Sequence, residues 1–121
     1  MSENIIQQKT YTLALDVIKV YKDLIDRKKE FVISRQLLRC GTSVGANVEE
    51  AIGGQSDKDF FMKITIAYKE ARETRYWLRL LKDSGFLDSI TAQVLDDKCT
   101  EVCRILSKIQ ITMKAKHKIY A

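Results

Sequence analysis

The chain contains no proline and only five glycines in 121 residues. A domain of many strands and tight turns draws on both residues to punctuate its connections, so their scarcity disfavours an all-β fold. No stretch approaches the roughly 20 apolar residues that cross a bilayer, and the opening MSENIIQQKT lacks a basic segment followed by an apolar run. Neither membrane insertion nor secretion is expected. Histidine occurs once, as His117. A di-iron bundle needs Glu-x-x-His motifs from two of its helices, so that chemistry is excluded. The three cysteines, Cys40, Cys99 and Cys103, cannot pair completely. That suits a reducing cytoplasm better than a disulfide scaffold, and the expected location is cytoplasmic.

What is present is apolar enough to fold. The chain is 45% hydrophobic and 31% charged, whereas a disordered chain lacks the apolar residues to offset its ordering entropy. Its length suits one core, so residues 1–121 are expected to form a single domain with a basic C-terminal tail from about position 114. The net charge is +5, and residues 89–121 carry +3 of it, from six basic and three acidic side chains. Such a bias favours polyanions, weakly.

Apolar residues recur at helical spacing through four segments. The first runs from about Asn4 to Lys28, and the second from a Ser34 N-cap to the pair Gly53 and Gly54. The third opens at Ser56, with Asp57 and Asp59 in a first turn where carboxylates oppose the helix dipole favourably. Phe60, Ile64, Ala67, Ala71, Thr74, Leu78 and Leu81 then step alternately by four and three, a heptad seam that ends at Ser84 and Gly85. The fourth is capped by Asp88 or Ser89, with a stripe through Val94 or Leu95, Cys99, Val102, Ile105 or Leu106, Ile109 and Met113. Short connections force consecutive helices to run antiparallel. The predicted fold is all-α, an antiparallel up-down-up-down four-helix bundle.

Several positions depart from a plain bundle. Gly41, Ser43, Gly45 and Ala46 cluster in the second helix. They mark either a close helix approach, with Ala67 and Ala71 as candidate opposing positions, or a locally weak helix. Asn47 sits on an apolar face beside Glu50, as a functional polar cluster or as a structural hydrogen bond that fixes register. With Arg39, Glu70 and Glu73 these two residues are expected to form a hydrogen-bonded network between the second and third helices. The third helix also has a second arc, Ile66, Glu70, Glu73 and Trp77, which points to another buried contact; Ile66 and Trp77 are the candidate oligomer interface. Its other flank carries Lys69, Arg72, Arg75, Arg79 and Lys82, either a solvated face or a place to hold phosphates. Lys108, Lys114, Lys116 and Lys118 extend the basic set on the last helix.

Catalytic patterns are weak. Cys99 and Cys103 lie one turn apart but lack further thiol or imidazole ligands, so core packing is the better reading and no metal or cofactor is expected. Glu49, Glu50, Glu70 and Glu73 have no nucleophile, phosphate-cradling glycine loop or oxyanion site to work with.

Arg39, Ser43, Val44, Ala46, Asn47, Glu50 and Ala51, followed by Ser56, Asp57 and Phe60, then Ala67, Glu70, Glu73 and the pair Trp77-Leu78, form a combined pattern over about residues 10 to 90. In this the chain resembles the bacterial four-helix-bundle proteins encoded within intervening sequences of large-subunit ribosomal RNA genes. Gly45 stands where many of those relatives have proline. The resemblance implies a bundle that associates into a ring-like homopentamer without enzymatic activity. A related branch, the accessory proteins of diversity-generating retroelements, implies a basic surface that binds nucleic acid and, where its gene lies nearby, a reverse transcriptase. The expected function is therefore non-catalytic binding of structured RNA or DNA through the basic residues above. The alternative is a homo-oligomeric scaffold that binds another protein.

Overall fold

The computed structural model describes residues 4–117, which form four helices: α1 (Ile5–Asp26), α2 (Ile33–Ile52), α3 (Asp57–Asp83) and α4 (Ser89–His117). Lys118 lies outside the described residues. Each helix packs against its neighbours in sequence and α4 closes on α1, while the diagonal pairs make no close approach among the described residues. The fold is the expected all-α, up-down-up-down four-helix bundle. The α1–α4 seam is its most open side.

Local chemistry explains the helix starts. Asn4 and Gln7 form a reciprocal capping box on α1, Ser56 accepts from Asp59 N at 3.0 Å, and Asp88 accepts from Thr91 N at 2.8 Å. The second helix departs from expectation, because Ser34 is not its N-cap. Ser34 is buried in the first turn, and its hydroxyl donates back to the Glu30 carbonyl at 2.7 Å. The cap is the Glu30 carboxylate, which accepts from the backbone N–H groups of Val32 (3.2 Å), Ile33 (3.1 Å) and Ser34 (2.7 Å). Lys29, at φ 56°, turns the chain through the left-handed region just before it.

The heptad seam of α3 is the centre of the core. Ile64, Ala67, Ala71, Thr74, Leu78 and Leu81 are buried and Phe60 is half-buried at its N-terminal end. Leu13, Val17 and Leu24 face them from α1, Leu37, Val44 and Val48 from α2, and Leu95, Cys99, Val102 and Leu106 from α4. Of the small residues of α2, Gly41 and Gly45 meet α1, not the Ala67–Ala71 side of α3, and Ala46 is exposed. A Cβ on Gly41 would lie 2.8 Å from both Cγ atoms of Val17, and one on Gly45 would lie 3.4 Å from the Thr10 carbonyl oxygen. The glycines therefore permit a close helix approach.

The cysteines are part of this packing. Burial pushes the Cys40 thiol up to about 11 against the partial relief of a hydrogen bond from the Thr74 hydroxyl, and it pushes Cys99 and Cys103 up as well. All three stay protonated near neutrality and act as small hydrophobes.

Candidate nucleic-acid interface

The α3 flank opens onto a groove of about 700 Å³ between α3 and the start of α4. It is lined by Lys69, Arg72, Arg75, Arg79 and Lys82, as expected, and also by Tyr68 and Tyr76, which composition and charge did not single out. At 100° per residue, Tyr68, Arg72, Arg79, Tyr76 and Lys69 fall within one 100° arc of the helix. The Arg72 guanidinium lies 6.0 Å from the Tyr68 ring centroid, and that of Arg79 lies 5.7 Å from Tyr76. The signal in the sequence was the spacing: a tyrosine four residues before Arg72 and another three before Arg79 place ring and cation side by side on a helix.

The five cations are not equivalent. Arg75 is committed to Asp96 of α4 through two contacts, Nε to Oδ1 at 2.8 Å and Nη2 to Oδ2 at 3.3 Å. Lys82 sits 3.8 Å from Asp83. Among the described residues, Lys69, Arg72 and Arg79 have no carboxylate within salt-bridge reach, and all three are exposed. The two acids in the groove wall, Glu73 and Asp96, are themselves paired with Arg39 and Arg75.

The C-terminal lysines divide. Gln110 of α4 reaches Thr65 at 3.2 Å, which sets the register of the two antiparallel helices. Lys114 then falls on the groove-side arc of α4 with Asp96, whereas Lys108 and Lys116 turn away from it.

The five polar residues expected in one network separate into three groups. Arg39 pairs with Glu70 at 3.4 Å and with Glu73 at 2.5 Å, and the Trp77 indole N–H donates to the same Glu73 carboxylate at 3.0 Å. Asn47 instead donates to the Ser43 carbonyl of its own helix at 2.8 Å, and Glu50 pairs with Lys63 at 2.7 Å. Axial position decides this. Asn47 and Glu50 lie two and three turns further along α2 than Arg39, beyond the reach of Glu70 and Glu73 on the antiparallel neighbour.

Of the two interface candidates, Trp77 is half-buried with its ring edge-on to Tyr76, centroids 5.0 Å apart. Ile66 is 37% exposed and lines a shallow depression with Met62, Gly53 and Gly54. Among the described residues no three Cys, His, Asp or Glu side chains gather as a metal set, and no helix is long and apolar enough to cross a membrane.

Fold and site together define a class: an all-α antiparallel bundle whose most distinctive surface is a basic groove interleaved with tyrosine. The chain belongs to the 23S rRNA-intervening sequence protein family, which it matches over residues 2–108. It is also similar to a crystal structure of a protein of unknown function from the S23 ribosomal protein family of Bacteroides thetaiotaomicron VPI-5482. The two are 40% identical with a TM-score of 0.86, over 88% of this chain and 98% of that one. No curated protein matches the chain.

Proposed function

We propose that this protein is a non-catalytic helical-bundle protein that binds nucleic acid through the groove flanking α3, by charge and not by sequence. The observation that carries this reading is the set of exposed cations Lys69, Arg72 and Arg79, without carboxylate partners among the described residues, on one arc of a helix in a chain of net charge +5. Lysine and arginine contacts to phosphate position a polyanion without reading its bases. Membership of a family named for ribosomal RNA intervening sequences supports RNA as the natural polyanion.

One subunit is a weak electrostatic magnet. Self-association, with a pentamer as the expected form and Ile66 and Trp77 as the expected contact, repeats the groove and multiplies a modest term per subunit. Lys108, Lys114 and Lys116 extend the basic area.

Fluorescence anisotropy with short RNA strands and duplexes, at about 50 mM and about 200 mM salt, tests the reading. Affinity should fall steeply with salt. Replacing both Arg72 and Arg79 with glutamine should flatten the slope of log affinity against log salt by roughly 1.5, the loss of two phosphate contacts. Absence of binding at the lower salt overturns the proposal in favour of a protein-binding scaffold.

A further inference from the structure

Resting on the groove as a nucleic-acid site, we infer that its ligand is an unpaired strand whose bases stack on Tyr76 and Tyr68 while Lys69, Arg72 and Arg79 hold the phosphates.

Tyr76 is 45% exposed and takes no part in the hydrophobic core, yet its ring is held in place. Trp77 meets it edge-on at an interplanar angle of 71°, Trp77 is fixed by its N–H bond to Glu73, and Glu73 is fixed by Arg39. The Arg79 guanidinium also lies over the ring, 5.7 Å from its centroid. An exposed aromatic ring in the wall of a groove, already in contact with Trp77 and Arg79, is a largely preordered platform. Ordering it costs a ligand little.

Tyr68 supplies a second platform eight residues earlier, about 12 Å along the helix axis, with Arg72 between the two. That distance is the length of roughly three to four stacked nucleotides. The alternation Tyr68, Arg72, Tyr76, Arg79 thus presents ring, cation, ring, cation along one arc.

The choice between strand and duplex follows from what each exposes. A duplex offers phosphates to the cations but keeps its base faces stacked inside, where Tyr76 and Tyr68 cannot reach them. An unpaired strand offers both. Stacking on aromatic rings tolerates any base because every base has a π-face, so the site gains affinity for single strands without gaining sequence preference.

The test compares three probes of equal length by anisotropy on the full chain: an unstructured single-stranded RNA, the matching duplex, and an abasic strand with the same phosphates but no bases. The single strand should bind more tightly than the other two. Tyr76→Ala should weaken its binding by roughly 5- to 100-fold and leave duplex and abasic binding unchanged, while Tyr76→Phe should retain it. Because Tyr68 also packs against the core, Tyr68→Phe and Tyr68→Ala are compared only after circular dichroism shows both folded; the Tyr76 variants and the abasic strand decide the matter alone if Tyr68→Ala does not fold. Trp77, the only tryptophan, reports on the same site, and its fluorescence should change on adding the single strand and not on adding the abasic one. Equal binding of all three probes, unaffected by Tyr76→Ala, overturns the stacking inference while leaving charge-driven binding in place. Failure of every probe at low salt overturns the underlying reading, and the inference with it.

Discussion

Arg75 and Asp96 form a two-pronged ion pair across the α3–α4 seam, with contacts of 2.8 and 3.3 Å at the edge of the basic groove. The hydrogen bonds from Arg75 to Asp96 raise the guanidinium's affinity for its proton and hold its fork toward α4. A cation oriented in this way holds the helices together and is a poor phosphate ligand.

The first prediction follows directly. Arg75→Gln should leave RNA affinity within about twofold and change stability by no more than about 1 kcal/mol, because both partners are partly solvated. Asp96→Asn should raise RNA affinity instead, since it removes a negative charge from the groove and frees Arg75. Anisotropy and urea denaturation on the two variants check both signs. A drop in affinity for Asp96→Asn would show that Arg75 serves RNA only when Asp96 positions it.

Gly41 tests the α1–α2 contact. Alanine has the higher helix propensity, by about 1 kcal/mol, but its Cβ would collide with Val17, 2.8 Å from two methyl carbons. Gly41→Ala should therefore destabilise, by about 1 to 3 kcal/mol. Adding Val17→Ala should recover part of that loss by making room, a coupling that a double-mutant cycle of denaturation midpoints measures.

Glu30 caps α2 in place of Ser34. Glu30→Ala leaves three backbone donors without their acceptor and should cost about 1 to 2 kcal/mol. Glu30→Gln should recover part of it. An unchanged unfolding midpoint for Glu30→Ala would show that water replaces the carboxylate without penalty.

The buried thiols set an alkaline limit. Burial raises the Cys40 thiol from 9.0 to about 11 and raises Cys99 and Cys103 too, so above pH 9 the unfolded chain loses these protons while the folded one keeps them. Fewer protons on the unfolded state means stability falls as pH rises. Stability should be flat with respect to these groups below about pH 8 and decline from about pH 9 toward pH 11. Cys40→Ala should show a shallower decline than the parent chain in midpoints measured from pH 7 to pH 10.5. Equal slopes would mean that the thiols ionise without unfolding.

Much of the molecule was legible in advance. The steps of four and three from Phe60 to Leu81 report helix and buried face together, because helical periodicity is a local property of the chain, and the buried seam follows them residue by residue. Ser56 was equally readable, since an N-cap needs only its own side chain and the N–H three residues on. The motif in α2 and α3 also pointed to the family.

The misplaced cap on α2 has a specific cause. Glu30 accepts from three backbone donors directly after Lys29 turns the chain through the left-handed region, and no residue type there announced that turn. The proposed polar network failed as a single unit for another reason. Periodicity puts Arg39, Asn47 and Glu50 on α2 and Glu70 and Glu73 on α3, but the axial register between the helices decides which of them meet.

The groove shows the same division between levels. The sequence by itself determined the bundle, its buried faces and the row of cations on α3, all of which follow from intervals along one chain segment. Only the tertiary structure decided that Asp96 takes Arg75, that Arg39 rather than Asn47 takes Glu73, and that Tyr68 and Tyr76 line a groove beside α4. Those outcomes depend on the distances and axial register between helices, which are set by packing across each seam and not by intervals along one segment.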